Sequence, residues 1–282
     1  MVGYCDAKGT EEEANYDLGI STKTAEEDFC TQIDVQNEKL VMDGIKRMYP
    51  NHFIIGEETT GTGDIPSLDE NNPTWIIDPI DGTTNFASGI GLTCVSIGYC
   101  DNECRRNPEL PVMGVIYAPV TNELYLAIRG YGAYRNGIRI VNNNKEKDNN
   151  KAASTTTKSL SKAIVCCEFG YPRDEVSIRK MTNAVENILK NGCRAIRQLG
   201  SGCLDLCYVA TGRLDVVYAG VANEGWKPWD YAAGYVIVTE SGCVMESIDQ
   251  SKDQEYFDLY SKSIICATNQ ELLEDCRKVI TS

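Results

Sequence analysis

The chain of 282 residues contains a single histidine, His52. That scarcity excludes HExxH and every multi-histidine metal site, and leaves one residue to act as base in any Ser–His or Cys–His pair. His52 follows Pro50 in MYPNHF, where a solvated turn residue is expected. No apolar run approaches the roughly 18 residues a membrane-spanning helix needs. The opening MVGYCDAKGTEEEANYD is acidic and has no apolar core, unlike a secretory signal. Basic residues are the minority, 27 against 41 acids, with a net charge of −14. Nucleic-acid and anionic-membrane surfaces need clustered Lys and Arg, so neither partner is expected. A phosphorylated small molecule stays open, provided something cationic receives it. The 13 cysteines include no CxxC pair and sit mostly in apolar contexts, so reduced buried thiols are expected. These absences predict a soluble, cytoplasmic protein whose acid–base and metal chemistry comes from carboxylates.

What is present is enough apolar sequence, 42% of residues, for a sizeable core. Residues 1–33 are polar and without clear period. Leu40, Val41, Ile45 and Met48 then recur at helical spacing from Asp34 until Pro50 stops the run. Strands are expected at 53–55, 75–77, 95–99, 114–117 and 123–128, followed by a hairpin-like region punctuated by Gly130, Gly132 and Gly137. The stretch 142–159, NNNKEKDNNKAASTTTKS, cannot bury a core and reads as a surface loop. Beyond it come strands at 163–167, 214–218 and 264–267. Helices are expected over 176–190, from Ser201 to Gly212, over 229–240, and after Asn269 at the C-terminus. The mixed order predicts an α+β or layered α/β class. One domain spanning 1–282 is expected, with lobes 1–141 and 160–282 joined by the polar loop.

Acids mark the ends of these elements. Glu57 and Glu58 follow the strand at 53–55, Asp78 and Asp81 follow 75–77, and Asp230 sits at a helix start. Singly, each has an ordinary reading: GEE as a solvated turn, Asp-Gly as a turn dipeptide, Asp230 as a helix cap. If they converge, Glu57, Asp78, Asp81 and Asp230 form an all-oxygen site. Two unit charges about 4 Å apart repel by about 4 kcal/mol at an effective dielectric of about 20. Such a set therefore calls for cations, and hard oxygen donors favour Mg²⁺, with Mn²⁺ as a substitute. Pro79 fixes the backbone so that the Ile80 carbonyl can join the ligands. Gly82, Thr83 and Thr84 open a helix whose N–H groups can hold phosphate, and the threonines can orient a water.

TWIIDPIDGTTNF closely resembles the first signature of the inositol monophosphatases, within the lithium-sensitive sugar-phosphatase superfamily. Trp229-Asp230-Tyr231-Ala232-Ala233-Gly234 resembles the second, Trp-Asp-x-Ala-x-Gly. Ile55-Gly56-Glu57-Glu58, Arg197–Gly202 and Val209–Gly212 extend the likeness from about residue 23 to the end. The resemblance implies an αβαβα fold, a homodimer, lithium inhibition, and two or three Mg²⁺ ions per site. It implies that Glu57, Asp78 and the Ile80 carbonyl hold one ion, and that Asp78, Asp81 and Asp230 hold a second. A weaker third ion would contact Glu57. Thr83 with Asp34 would bind the attacking water, with Gly82, Thr83 and Thr84 cradling phosphate. Asp81, Ser201 and Gly202 would touch the inositol hydroxyls. The family's substrate-binding acid falls at Asn223, so Glu224 is expected to replace it. Lys23 aligns with a lysine near the family's mobile active-site loop, and residues 1–22 do not show the period expected of the family's long first helix.

The resulting expectation is a Mg²⁺-dependent phosphomonoesterase that releases inositol and phosphate from myo-inositol monophosphate. Two alternatives accompany it. One is a sister phosphatase acting on 3′-phosphoadenosine phosphate, an inositol polyphosphate or a sugar bisphosphate. The other is a catalytically silent interaction protein of the same fold, against which the intact set Glu57, Asp78, Asp81, Thr83 and Asp230 argues.

Overall fold

The computed structural model describes residues 21–22, 29–69, 71–101, 111–141, 159–223, 225–249 and 257–282. Lys23, Glu224, residues 1–20 and the polar stretch 142–158 lie outside the described residues. A two-residue ladder, β1 (Ser21–Thr22) with β2 (Phe29–Cys30), leads into helix α1 (Gln32–Met48). Thr31 starts that helix in extended conformation and its hydroxyl accepts the Ile33 N–H at 3.2 Å. Asp34, three residues on, accepts the Thr31 N–H at 2.9 Å, completing a capping box. The N-cap is thus Thr31, with Asp34 in the first turn. Tyr49, which precedes Pro50, is turned out of helical conformation (ψ 70°) and ends the helix.

The apolar positions of α1 only partly coincide with its packing face: Val41 and Ile45 are half-buried. Leu40 and Met48 are each 70% exposed, whereas Asp34 and Glu38 are buried. The helix packs on β4 with its carboxylates turned inward, for reasons that appear at the site.

Seven strands form the first sheet, in sequence order: β3 (Phe53–Gly56), β4 (Thr74–Asp81), β5 (Cys94–Cys100), β6 (Met113–Ala118), β7 (Glu123–Ile128), β8 (Gly132–Arg135) and β9 (Ile138–Ile140). β3 and β4 run parallel and the remaining pairs are antiparallel. A one-turn helix, α2 (Glu57–Thr60), follows β3, and α3 (Thr83–Ala87) follows β4. The second sheet contains β10 (Ile164–Glu168), β11 (Ala195–Arg197), β12 (Val216–Ala219), β13 (Val244–Glu246) and β14 (Ile264–Ala267), ordered β11-β10-β12-β14-β13. The three-residue strands β11 and β13 carry too little pattern to be read from sequence.

Helices α4 (Glu175–Asn191) and α7 (Gln270–Ile280) pair on one side of the second sheet. Helices α5 (Gly202–Ala210) and α6 (Pro228–Ser241) lie between the sheets. With α1 outside the first sheet, the layers run α–β–α–β–α. Being enclosed, α6 is apolar on all sides. Its approach to the first sheet is close: a Cβ on Gly114 would lie 2.3 Å from the Ala233 carbonyl oxygen. None of the helices of the described residues is long and apolar enough to cross a membrane. Ten of the described cysteines are free thiols, and nine of these are buried.

His52 departs from the expectation of a solvated turn residue. It is half-buried, stacked on Tyr49 at 4.7 Å, and its Nδ1 accepts the Trp75 Nε1–H at 2.9 Å. Aromatic packing at the start of β4 claims it, far along the strand from the carboxylates at the other end.

Candidate active site

The site is built on the end of β4. Side chains three apart on a regular strand face opposite ways. Here Asp78 pairs with Ser96 but Asp81 pairs with Cys94, so three steps on β4 match two on β5. The extra residue is a bulge, and it turns Asp78 and Asp81 to the same side. Asp230, in the first turn of α6, completes a group whose carboxylate oxygens lie within 4.8 Å of one another. Asp230 also serves its helix, accepting the Lys227 N–H at 2.7 Å, so the capping reading and the site reading both hold geometrically.

Glu57 opens α2 beside them. Its turn is fixed by a residue the sequence did not flag, Glu38 on α1. Glu38 accepts the N–H groups of Glu58 at 2.8 Å and Thr59 at 2.7 Å, and also bonds the Thr59 hydroxyl. These are first-turn donors that have no acceptor within a helix. Gly56 is required because a Cβ there would lie 2.4 Å from the Glu38 carboxylate.

Thr83 follows Gly82, whose φ of 85° and closeness to the Leu92 carbonyl oxygen (2.9 Å from an added Cβ) both demand glycine. The Thr83 hydroxyl lies 3.2 Å from Asp34 Oδ1 and 3.0 Å from the Ile80 carbonyl. It has one hydrogen for these two acceptors. Asp34 is fully buried, so Thr83 is the half-exposed end of the pair.

Behind Asp81 lies a second tier. Its Oδ2 accepts the Ser201 hydroxyl and the Cys203 N–H at 2.9 Å. Ser201 stands at the N-cap position of α5 but makes no side-chain cap, because its hydroxyl is directed to Asp81 instead. It is 1% exposed and sits behind the wall of the cleft. Asn85, also unflagged as a site residue, donates to the carbonyls of Leu92 at 3.0 Å and Leu199 at 2.7 Å, tying α3 to the segment before α5.

The chain's own groups make these carboxyls hold protons unusually tightly. Burial, then Glu57 and Asp81, push Asp78 well above the ordinary carboxylate range. Burial raises Asp81, opposed by the bonds from Ser201 and Cys203. Burial and Glu57 push up Asp230, with Lys227 opposing. A divalent cation would reverse this balance. The donor set fits a hard one: oxygens only, with the nearby Cys94 thiol pushed up to about 12 by burial and therefore a poor competing ligand.

A cleft of roughly 740 Å³ opens over this group and is lined by Glu57, Asp78, Ile80, Asp81, Gly82, Thr83, Thr84, Gly202 and Asp230. Of the residues singled out from the sequence, Asp34 and Ser201 stand behind its wall, and Glu224 lies outside the described residues. Gly202 has a packing reason for its identity, since a Cβ there would lie 2.6 Å from the Trp226 ring. Trp226 and the cationic Lys227 and Arg173 also line the cleft. They could have been noticed as the cations that a phosphorylated ligand requires, but lysines and arginines are too common for sequence to mark these two.

The model of the Inositol monophosphatase family matches residues 7–281. Inositol monophosphatase 1 of Solanum lycopersicum is 39% identical over 248 residues, covering 88% of this chain and 80% of the relative. The solved IMPase of Thermotoga maritima is 30% identical with a TM-score of 0.70, covering 94% of this chain and 89% of that one. The extragenic suppressor protein suhB of Bartonella henselae is 25% identical with a TM-score of 0.75, covering 93% and 88%. The layered fold, the match along almost the whole length and the clustered carboxylates agree: the chain belongs to the inositol monophosphatase family and is a phosphoric monoester hydrolase.

Proposed function

We propose that the chain hydrolyses myo-inositol monophosphate to inositol and phosphate with Mg²⁺, and that lithium inhibits it. The observation that carries this reading is the convergence of Asp78, Asp81 and Asp230, with oxygens within 4.8 Å, in the cleft that also contains Thr83. Glu57, Asp78 and the Ile80 carbonyl would hold one ion and Asp78, Asp81 and Asp230 a second, with a third weakly held at Glu57. Mn²⁺ would substitute. When bound there, the metal supplies Lewis acidity, easing loss of a proton from water and offsetting charge on the phosphate and the leaving oxygen.

The chain's residues do the remainder. Thr83 Oγ1 accepts a hydrogen from the attacking water while its own hydrogen points to Asp34 Oδ1, 3.2 Å away. Asp34 is locked by Thr31 and so holds the hydroxyl in one orientation. The N–H groups at Gly82, Thr83 and Thr84 donate to phosphate oxygens. Asp81, Gly202 and Glu224 contact the polyol, and Ser201 acts on it through Asp81. Water attacks phosphorus directly, so no phosphoenzyme forms. We further propose a cytoplasmic homodimer.

A phosphate-release panel with Mg²⁺ tests the substrate. Myo-inositol 1-phosphate is expected to be turned over with the highest kcat/KM. A higher value for 3′-phosphoadenosine phosphate, an inositol polyphosphate or a sugar bisphosphate would reassign the substrate. Release from no member would favour a silent protein.

A further inference from the structure

A second pair of acids, Glu168 in the wall of the cleft and Asp205 behind it, has no part in the reaction described above. Glu168, at the end of β10, is 9% exposed, and its Oε1 accepts the N–H groups of Leu199 at 2.7 Å and Gly200 at 3.0 Å. The Cys166 thiol donates to the same oxygen at 3.5 Å. Asp205, on α5, is fully buried, and neither of its oxygens has a hydrogen-bond partner of ordinary geometry among the described residues; the Cys166 thiol close by has a single hydrogen, which it gives to Glu168. A carboxylate oxygen of Asp205, one of Glu168 and the Cys166 sulfur all lie within 4.8 Å of one another.

Two ionised carboxylates this close, buried and without a cation of the chain between them, repel strongly. One proton shared between them removes the conflict. Donor counting assigns it. Glu168 already accepts from two amides and a thiol, which suits the ionised partner, whereas Asp205 has nothing to accept from and needs a hydrogen of its own. Burial and the neighbouring Glu168 push Asp205 in the same direction, well above the ordinary carboxylate range.

The consequence reaches the cleft through a short path. Glu168 fixes the Leu199 and Gly200 amides, and the carbonyls of the same two residues receive Asn85 at 2.7 and 3.2 Å. The next residue, Ser201, gives its hydroxyl to Asp81. Its carbonyl accepts the Asp205 N–H at 3.0 Å, so Asp205 and the segment share one helix start. We infer that Asp205 donates a hydrogen bond to Glu168, and that this buried acid pair is a positioning element that sets the segment 199–201 and, through Ser201, the orientation of Asp81. The inference rests on the reading of Asp81 as a metal ligand.

Three proteins test it: wild type, Asp205→Ala and Asp205→Asn. Asparagine keeps the shape and offers an N–H to Glu168. Mg²⁺ affinity, measured by calorimetric titration, is expected to fall about tenfold or more in Asp205→Ala, the usual cost of losing support behind a ligand. Asp205→Asn should recover most of that loss. An unchanged affinity in Asp205→Ala would overturn the positioning role. A loss in Asp205→Asn as large as in Asp205→Ala would overturn the shared proton, because it would mean that Asp205 must be ionised, as a cation ligand would be. Infrared difference spectra of wild type against Asp205→Asn decide the proton separately, including where Asp205→Ala does not fold. The difference spectrum at neutral pH should contain a protonated-carboxyl band that wild type has and the variant has lost, and its absence from the difference would contradict the inference. If wild type bound no Mg²⁺, the metal reading would fail while the infrared result still decided the pair.

Discussion

At the scale of single residues, the site divides into groups that face the cleft and groups that aim them. Asp78, Asp81, Thr83 and Asp230 could be picked out because each sits in a dense motif, the first three at the end of an apolar run and Asp230 at a helix start. Glu38, Asn85 and Glu168 could not. Glu38 looks like any polar residue on a helix, and Asn85 finds its partner Leu199 at a sequence separation of 114. Their roles exist only once the chain has folded. Two predictions belong here. Thr83→Ala should lower kcat about 10²- to 10⁴-fold, the range for losing a positioned proton-handling group, with Mg²⁺ affinity little changed. A parallel loss of Mg²⁺ binding would mean that Thr83 supports the ligands instead. The second prediction concerns pH without added metal. Asp78 and Asp230 have raised pKa values in the folded chain, so above about pH 4 the unfolded chain releases protons that the folded chain keeps. The unfolded state then binds fewer protons, and stability falls as pH rises from there. Denaturant midpoints in EDTA should therefore decline between pH 5 and 8, and saturating Mg²⁺ should flatten the decline. A midpoint that rises over that range in EDTA would contradict the proposed electrostatics.

At the scale of elements, helical period located α1 and α4, a capping asparagine located α7, and strong apolar runs located β4 through β7. The inward face of α1 is not legible from its apolar spacing, since Leu40 and Met48 are exposed and Asp34 and Glu38 are buried. The two acids are buried there because each satisfies donors: Glu38 the amides at the start of α2, and Asp34 the Thr31 amide at the start of its own helix and the Thr83 hydroxyl. The bulge in β4 was also hidden, since register belongs to a pair of strands and not to one. Two glycine substitutions separate close packing from free space. Gly114→Ala would drive a Cβ to 2.3 Å from the Ala233 carbonyl oxygen. It should cost about 1–3 kcal/mol, as overpacking does, read from urea unfolding. Gly44→Ala, inside α1 with nothing within 4 Å of the added carbon, should instead stabilise by up to about 1 kcal/mol. A neutral Gly114→Ala would show that α6 can move away from the sheet without loss.

At the scale of the whole molecule, the layered packing brings residues from distant segments together: Asp78, Asp81 and Asp230 at one cleft, with Asp34 and Ser201 behind its wall. The class of fold and the reaction were legible because motifs tie these segments together. The substrate is less so, since the proposed polyol contact near Asn223 falls where no motif fixes the position of the acid. The net charge of −14 does not oppose a phosphorylated ligand, because Lys227 and Arg173 line the cleft and a bound cation inverts the field at its floor. The most direct test is Mg²⁺-dependent phosphate release from myo-inositol 1-phosphate by wild type and by Asp78→Asn, with circular dichroism confirming that both are folded. Removing several kcal/mol of metal-derived stabilisation should lower turnover by about a thousandfold or more in the variant. Near-wild-type turnover by folded Asp78→Asn would contradict the carboxylate metal site on which the account rests.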